Sequence, residues 1–209
     1  MRREPGAVRD QVGELVGLIG AHDGYTVGHS EAVVAWSYAV GERVGLSRPE
    51  LLELELGALL HDLGKVRVPG AILRKPAPLD PGELRLVRMH PVWGAEILEG
   101  IPGLEGVARI VRCHHERWDG SGYPDGLERG EIPVASRIVA VCDAYEAMTS
   151  DRPYRAALPP AAAASELCLA AGTQFDPAVV QYFIEVLKEW GWPGGARVVP
   201  AAVAIGGRI

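Results

Sequence analysis

Ser47-Arg48-Pro49-Glu50-Leu51-Leu52-Glu53-Leu54-Glu55-Leu56-Gly57-Ala58-Leu59-Leu60-His61-Asp62 is the stretch whose reading sets the fold. A serine three positions before a glutamate, with proline in the first turn, marks a helix start, because the two side chains can satisfy amide donors that the first turn leaves free. Leucines at 51, 52, 54, 56, 59 and 60 then recur at helical spacing. The spacing predicts one helix that ends by delivering the doublet His61-Asp62.

The same device recurs at Asp80-Pro81-Gly82-Glu83, which predicts a second helix through Leu84 and Val87 to His90, continuing to Leu98. Further helical patterns cover roughly 8–20, 29–44, 104–116, 134–149, 160–171 and 177–189, and no alternating run is long enough for a sheet. An all-α, single-domain helical bundle follows. Segment 117–133 holds Gly120, Gly122, Gly126, Gly130, Pro124 and Pro133, too many breakers for a helix. It is expected to be a long, flexible Gly-rich loop, acting as a lid beside the histidine doublet that precedes it.

The 209 residues suffice for one core without disulfide or metal staples, and a composition 48% hydrophobic and 23% charged is that of a folded globular protein. A formal net charge of -6 argues against a broad grip on duplex nucleic acid, so an anionic substrate must be held locally. Cys113, Cys142 and Cys168 each stand alone in apolar, helix-like surroundings and are read as core residues in a reducing, cytoplasmic setting. Neither a signal peptide nor an apolar run of about 20 residues is present, so no membrane span is expected.

Five of the six histidines sit in short strings with carboxylates: Gly28-His29-Ser30, His61-Asp62-Leu63-Gly64-Lys65, Met89-His90-Pro91 and His114-His115-Glu116, with Cys142-Asp143-Ala144 closing the series. Imidazole suits iron, manganese, zinc or nickel, and a carboxylate can bridge two such ions. His29, His61, Asp62, His90, His114, His115 and Asp143 are thus the candidate ligands of two divalent transition-metal ions. Neighbours on a helix diverge by about 100°, so each doublet is expected to serve two adjacent metals. With Asp62 bridging, the set fills about eight of about twelve coordination positions, leaving room for a shared hydroxide and phosphate oxygens. Coordination brings the pKa of bound water down toward about 7, which makes a dinuclear hydrolase the leading reading. Lys65, a turn beyond His61, can add a point charge for catalysis; Arg152 and Arg155 offer planar forks for phosphate or a guanine edge; Tyr123 offers a ring to stack on a base and a hydroxyl for phosphate.

His61-Asp62-Leu63-Gly64-Lys65 resembles the signature of the HD superfamily of metal-dependent phosphohydrolases, and His114-His115-Glu116-Arg117-Trp118-Asp119-Gly120-Ser121-Gly122-Tyr123-Pro124-Asp125-Gly126 resembles the defining segment of its HD-GYP subfamily. The similarity continues through Tyr25–Ser30, Asp143–Arg155 and Gly172–Pro177. The resemblance implies a dinuclear iron or manganese centre that cleaves cyclic di-GMP to linear pGpG, and on to GMP in some members. By motif matching it assigns the seven metal ligands named above, and substrate contacts to Lys65, Tyr123, Arg152 and Arg155. Some members hold a third metal through a glutamate four residues before the first histidine; Tyr25 stands there, which implies two. Asp23 and Glu146 lie near matched positions with their roles open. The implied organisation is a leader helix at 1–21, an HD-GYP catalytic domain at 22–190 and a loosely ordered tail at 191–209.

A lone histidine is usually a satisfied core or surface group, which is the reading kept for His22. Lys65, Arg152 and Arg155 are solvated charges in the plain reading, and Trp36, Trp93, Trp190 and Trp192 are packing residues. The competing functions are hydrolysis of another cyclic dinucleotide or nucleotide phosphoester, and a module that binds cyclic di-GMP without cleaving it. A second copy of the chain or a signalling protein completes the expected partners.

Overall fold

A computed structural model describes residues 5–22, 26–151 and 156–190. Ten α-helices follow in order: α1 Pro5–His22, α2 Thr26–Val44, α3 Arg48–Leu60, α4 Gly70–Leu73, α5 Pro81–Val87, α6 His90–Glu99, α7 Glu105–Cys113, α8 Val134–Thr149, α9 Pro160–Leu169 and α10 Pro177–Glu189. Two 3-10 turns, Leu63–Arg67 and Arg129–Glu131, lie between them. Among the described residues the only β-type pairing is an isolated bridge between Ala171 and Phe175, so the all-α expectation holds.

The predicted helix starts form for the reason given by sequence. Glu50 Oε2 accepts from the Ser47 backbone N–H at 2.8 Å and from its hydroxyl at 2.6 Å. Asp80 Oδ1 accepts from the amides of Gly82 and Glu83 at 2.7 and 2.9 Å, while Glu83 accepts from the Asp80 amide at 2.9 Å. The helices pack through α2 against α3, α8 and α10, and through α6 against α7 and the Leu63–Arg67 turn. Trp36 of α2 meets Tyr145 of α8, Phe183 of α10 and Trp190, with ring centroids 5.7, 5.5 and 4.7 Å away. Leu54, Leu60, Leu63, Leu98, Leu167 and Leu187 are fully buried, each stabilising the fold by about 1.5–3 kcal/mol over exposure. Packing of this kind holds the bundle, so the polar groups buried within it need another explanation.

Three expectations are corrected. The helix predicted from Pro81 to Leu98 is two helices, turning at Arg88 and Met89. Pro91 causes the break: it has no N–H for the Val87 carbonyl, and in a continuous helix its ring would collide with that oxygen. Cys168 is exposed rather than a core residue, whereas Cys113 and Cys142 are buried. It lies in the last turn of α9, at the edge of the face that buries Ala163, Ala164 and Leu167.

The third correction concerns the loop, which is pinned rather than flexible. Glu116, buried at 4% exposure, accepts from the amides of Asp125 and Gly126 at 2.7 and 3.1 Å. Arg112 grips Asp125 with two hydrogen bonds of 2.7 Å. The amides of Trp118 and Asp119 donate to the carbonyls of Gln174 and Thr173 at 3.1 and 2.9 Å, so the loop is tied to the turn before α10. Gly122 lets it close on itself, since a Cβ there would stand 2.3 Å from the Arg117 nitrogen. Of the remaining expectations, Asp23, Tyr25, Arg152, Arg155 and the tail at 191–209 lie outside the described residues.

Candidate metal centre

Three of the candidate histidines are presented by one local device. The Nδ1 atoms of His61, His90 and His114 lie 2.7, 2.7 and 2.6 Å from the carbonyl oxygens of Ala58, Val87 and Val111, each three residues earlier at the end of a helix. A carbonyl only accepts, so each Nδ1 carries a hydrogen, and in the neutral ring the lone pair of Nε2 then points away from its helix. Helix ends supply such carbonyls because the last turn lacks onward amide partners. At His90 the vacancy is made by Pro91, the same residue that broke the predicted helix.

Those lone pairs converge. His90, His114 and His115 place nitrogens within 4.8 Å of one another, and His29, His61 and Asp143 do likewise with two nitrogens and a carboxylate oxygen. Asp62 stands between the trios: Oδ1 is 3.5 Å from His90 Nε2, and Oδ2 is 3.5 Å from His61 Nε2. In the second trio Asp143 Oδ1 is 3.1 Å from His29 Nε2 and 3.9 Å from His61 Nε2. All seven residues named from sequence therefore lie in one cluster. The doublets divide differently from expectation, however. His61 and Asp62 span both groups, whereas His114 and His115 turn to the same trio, their ring centroids 4.1 Å apart.

Divalent metal ions fit this donor set. His90 Nε2 and His114 Nε2 face each other at 3.3 Å, and with both Nδ1 protonated this is lone pair against lone pair. A shared proton does not resolve the contact, because burial drives His90 down to about 3 and His114 well below its ordinary 6.5. His115 falls to about 4 for the same reason, burial and then the nearby His90. His61 Nε2 is buried without a hydrogen-bond partner. Facing imidazole lone pairs beside ionised carboxylates are what a divalent cation satisfies.

The carboxylates are tuned the same way. Burial alone would raise the Asp62 carboxyl, but Lys65, His61 and His90 beside it, with a hydrogen bond from Lys65, hold it well below the usual range. Asp143 is likewise held low against burial by the hydrogen bond with His29. Lys65 Nζ sits 2.7 Å from Asp62 Oδ2, so its first contact is the central carboxylate. Tyr123 stacks on His115 with centroids 5.0 Å apart and planes at 26°, and burial pushes its phenol up to about 12. Glu146 is buried and accepts from the Ser150 hydroxyl at 2.7 Å.

Two groups escaped the sequence reading. Glu116 follows the histidine doublet and clasps the loop, while Arg88 places Cζ 5.3 Å from the centroid of the Tyr123 ring. Glu116 stood within a matched string but carried no assigned role; Arg88 gave no signal, because its aim depends on the turn at 88–89.

Comparison with known proteins gives the family and the fold. The family profile described as HD domain matches residues 15–179. A cyclic di-GMP phosphodiesterase of Thermotoga maritima is 39% identical over 182 residues, covering 86% of this chain and 50% of that protein. A 3'3'-cGAMP-specific phosphodiesterase of Vibrio cholerae is 39% identical over 142 residues, covering 68% of this chain and 31% of that protein. The chain thus spans half or less of the length of these relatives. In fold it resembles an HDG"Y"P protein from Bdellovibrio bacteriovorus, with a TM-score of 0.65 at 24% identity over 88% of this chain and 63% of that one. No helix among the described residues is long and apolar enough to cross a membrane.

Proposed function

The chain belongs to the HD-domain family, and from that premise we propose that it is a metal-dependent phosphodiesterase of the HD-GYP type that hydrolyses cyclic di-GMP to linear pGpG. The observation that carries the reading is the placement of Asp62, one oxygen toward each of two ligand trios. A structural metal needs one closed site; paired sites sharing a carboxylate suit in-line displacement at phosphorus.

Two divalent ions, proposed as iron or manganese with zinc or nickel as the alternatives, would supply positive charge for phosphoryl oxygens and acidify a water. The chain's own residues do the rest. His61, His90 and His114 are fixed in one tautomer by their helix-end carbonyls, and His29, His115 and Asp143 complete the trios. Lys65 keeps Asp62 ionised and oriented, and by motif we assign its charge to substrate phosphate. Tyr123 walls the His115 side and offers a protonated hydroxyl. We assign Arg152 and Arg155 to phosphate or guanine by motif. A cytoplasmic setting agrees with three unpaired cysteines.

A second reading, hydrolysis of a different cyclic dinucleotide, is favoured by the Vibrio cholerae relative with cGAMP specificity. Metal analysis of anaerobically prepared protein, coupled to product chromatography with cyclic di-GMP and 3'3'-cGAMP in parallel, tests both. Two metals per chain and pGpG as the faster-formed product are expected. Turnover of cGAMP alone would transfer the assignment to the second reading, and a metal-loaded chain that cleaves neither would end both.

A further inference from the structure

We propose that Arg88 is a phosphate-binding residue that holds a nonbridging oxygen of the substrate on the His90, His114 and His115 side of the centre. The inference rests on the phosphodiesterase reading and names a residue that the motif matching did not.

Arg88 caps the C-terminal end of α5, two residues before His90. A cation at a helix end has an ordinary explanation in the carbonyl dipoles there. The direction of the side chain goes beyond it. Its guanidinium reaches the ring of Tyr123, which stacks on His115, and the Tyr123 amide donates to the His115 carbonyl at 3.3 Å. Arg88 is therefore joined through one aromatic ring to a residue of the trio.

Its charge is also unmatched. Arg112, Arg117 and Arg137 pair with Asp125, Asp119 and Asp176. Arg88 is exposed, and among the described residues no carboxylate forms an ion pair with it. The trio beside it is all imidazole, and the central carboxylate, Asp62, already pairs with Lys65. A permanent cation next to a divalent-cation site is repelled until an anion lies between them. A phosphodiester oxygen has the charge for that place, and the planar fork of arginine can take two of its lone pairs.

The test uses the metal-loaded chain as wild type, Arg88→Gln and Arg88→Lys. Metal content, melting temperature, kcat and KM with cyclic di-GMP, and the Kd of its phosphorothioate analogue are measured for each. Arg88→Gln is expected to weaken analogue binding by about tenfold or more, the scale of losing a charge-assisted hydrogen bond, and to raise KM more than it lowers kcat. Metal content and melting temperature should stay at the wild-type level, and Arg88→Lys should recover part of the affinity. Unchanged analogue binding in Arg88→Gln overturns the proposal, as does weakening that appears only together with lost metal. If wild type binds the analogue without cleaving cyclic di-GMP, weakened binding in Arg88→Gln supports the phosphate role while the activity assigned above fails. A wild type that binds neither compound overturns both.

Discussion

A Cβ placed on Gly64 would stand 1.9 Å from the carbonyl oxygen of His90. The glycine of His61-Asp62-Leu63-Gly64-Lys65 therefore marks where the turn carrying Asp62 lies against the first turn of α6. Gly94 completes the contact, its own Cβ position being 3.2 Å from the Gly64 nitrogen. Backbone cannot yield as a flexible side chain can, so Gly64→Ala must push the two elements apart. We predict a loss of at least about 2 kcal/mol, in the range of overpacked cores, together with metal content reduced by half or more. Urea denaturation and metal analysis on one preparation check this; a wild-type metal content would show that the close approach does not set the centre.

Asp62→Asn keeps the size of the central side chain and removes its charge. With one oxygen toward each trio, the change should weaken both metal positions together and abolish turnover. Titrating metal into the chelated variant reads this directly. Loss of one metal with the other bound at wild-type affinity would assign Asp62 to a single trio.

Glu116 and Arg112 both fasten the loop, yet their removal should differ in cost. Glu116→Ala removes the buried carboxylate that accepts from the amides of Asp125 and Gly126, and hydrogen bonds to a charged group are worth about 1.5–3 kcal/mol. Arg112 and Asp125 are about one-third exposed, and such a pair contributes less than about 1 kcal/mol in water. Paired denaturation curves, with hydrogen exchange at Asp125 and Gly126, should rank Glu116→Ala clearly above Arg112→Ala.

The metal-free fold should lose stability in acid. His90 and His115 titrate near 3 and 4 when folded and near 6.5 when exposed, so between those values the unfolded chain binds more protons. Stability is then complete above about 6.5 and falls as pH drops toward 4. Asp62 and Asp143, held low in the fold, extend the loss in the same direction at lower pH. The melting temperature of chelated protein should be level from pH 7 to 8 and decline below 6.5; a flat profile down to pH 4.5 would mean that the histidines are not buried in neutral form.

Much of this was legible in the chain because it is local. Capping boxes at Ser47 and Asp80 act over three residues, and α8 and α10 run over 134–149 and 177–189 as their apolar periodicity predicts. The candidate ligands were legible too, since imidazole and carboxylate in short strings have few other uses in such number. Reading α5 and α6 as one helix failed because periodicity persists across Pro91 while the hydrogen-bond ladder does not. The flexible-loop reading failed because glycine content speaks to what a backbone can adopt, and the restraint on it comes from Glu116, Arg112 and the distant Thr173 and Gln174.

By itself, then, the sequence determined most of the helices, the set of candidate ligands and the kind of chemistry they suit, since capping, periodicity and side-chain basicity operate within a few residues. Only the tertiary structure decided that His114 and His115 share one trio, that Asp62 faces both, and that Arg88 reaches Tyr123. Those are distances between segments far apart in the chain, and they are fixed by how closely helices can approach, at Gly64 against His90 above all.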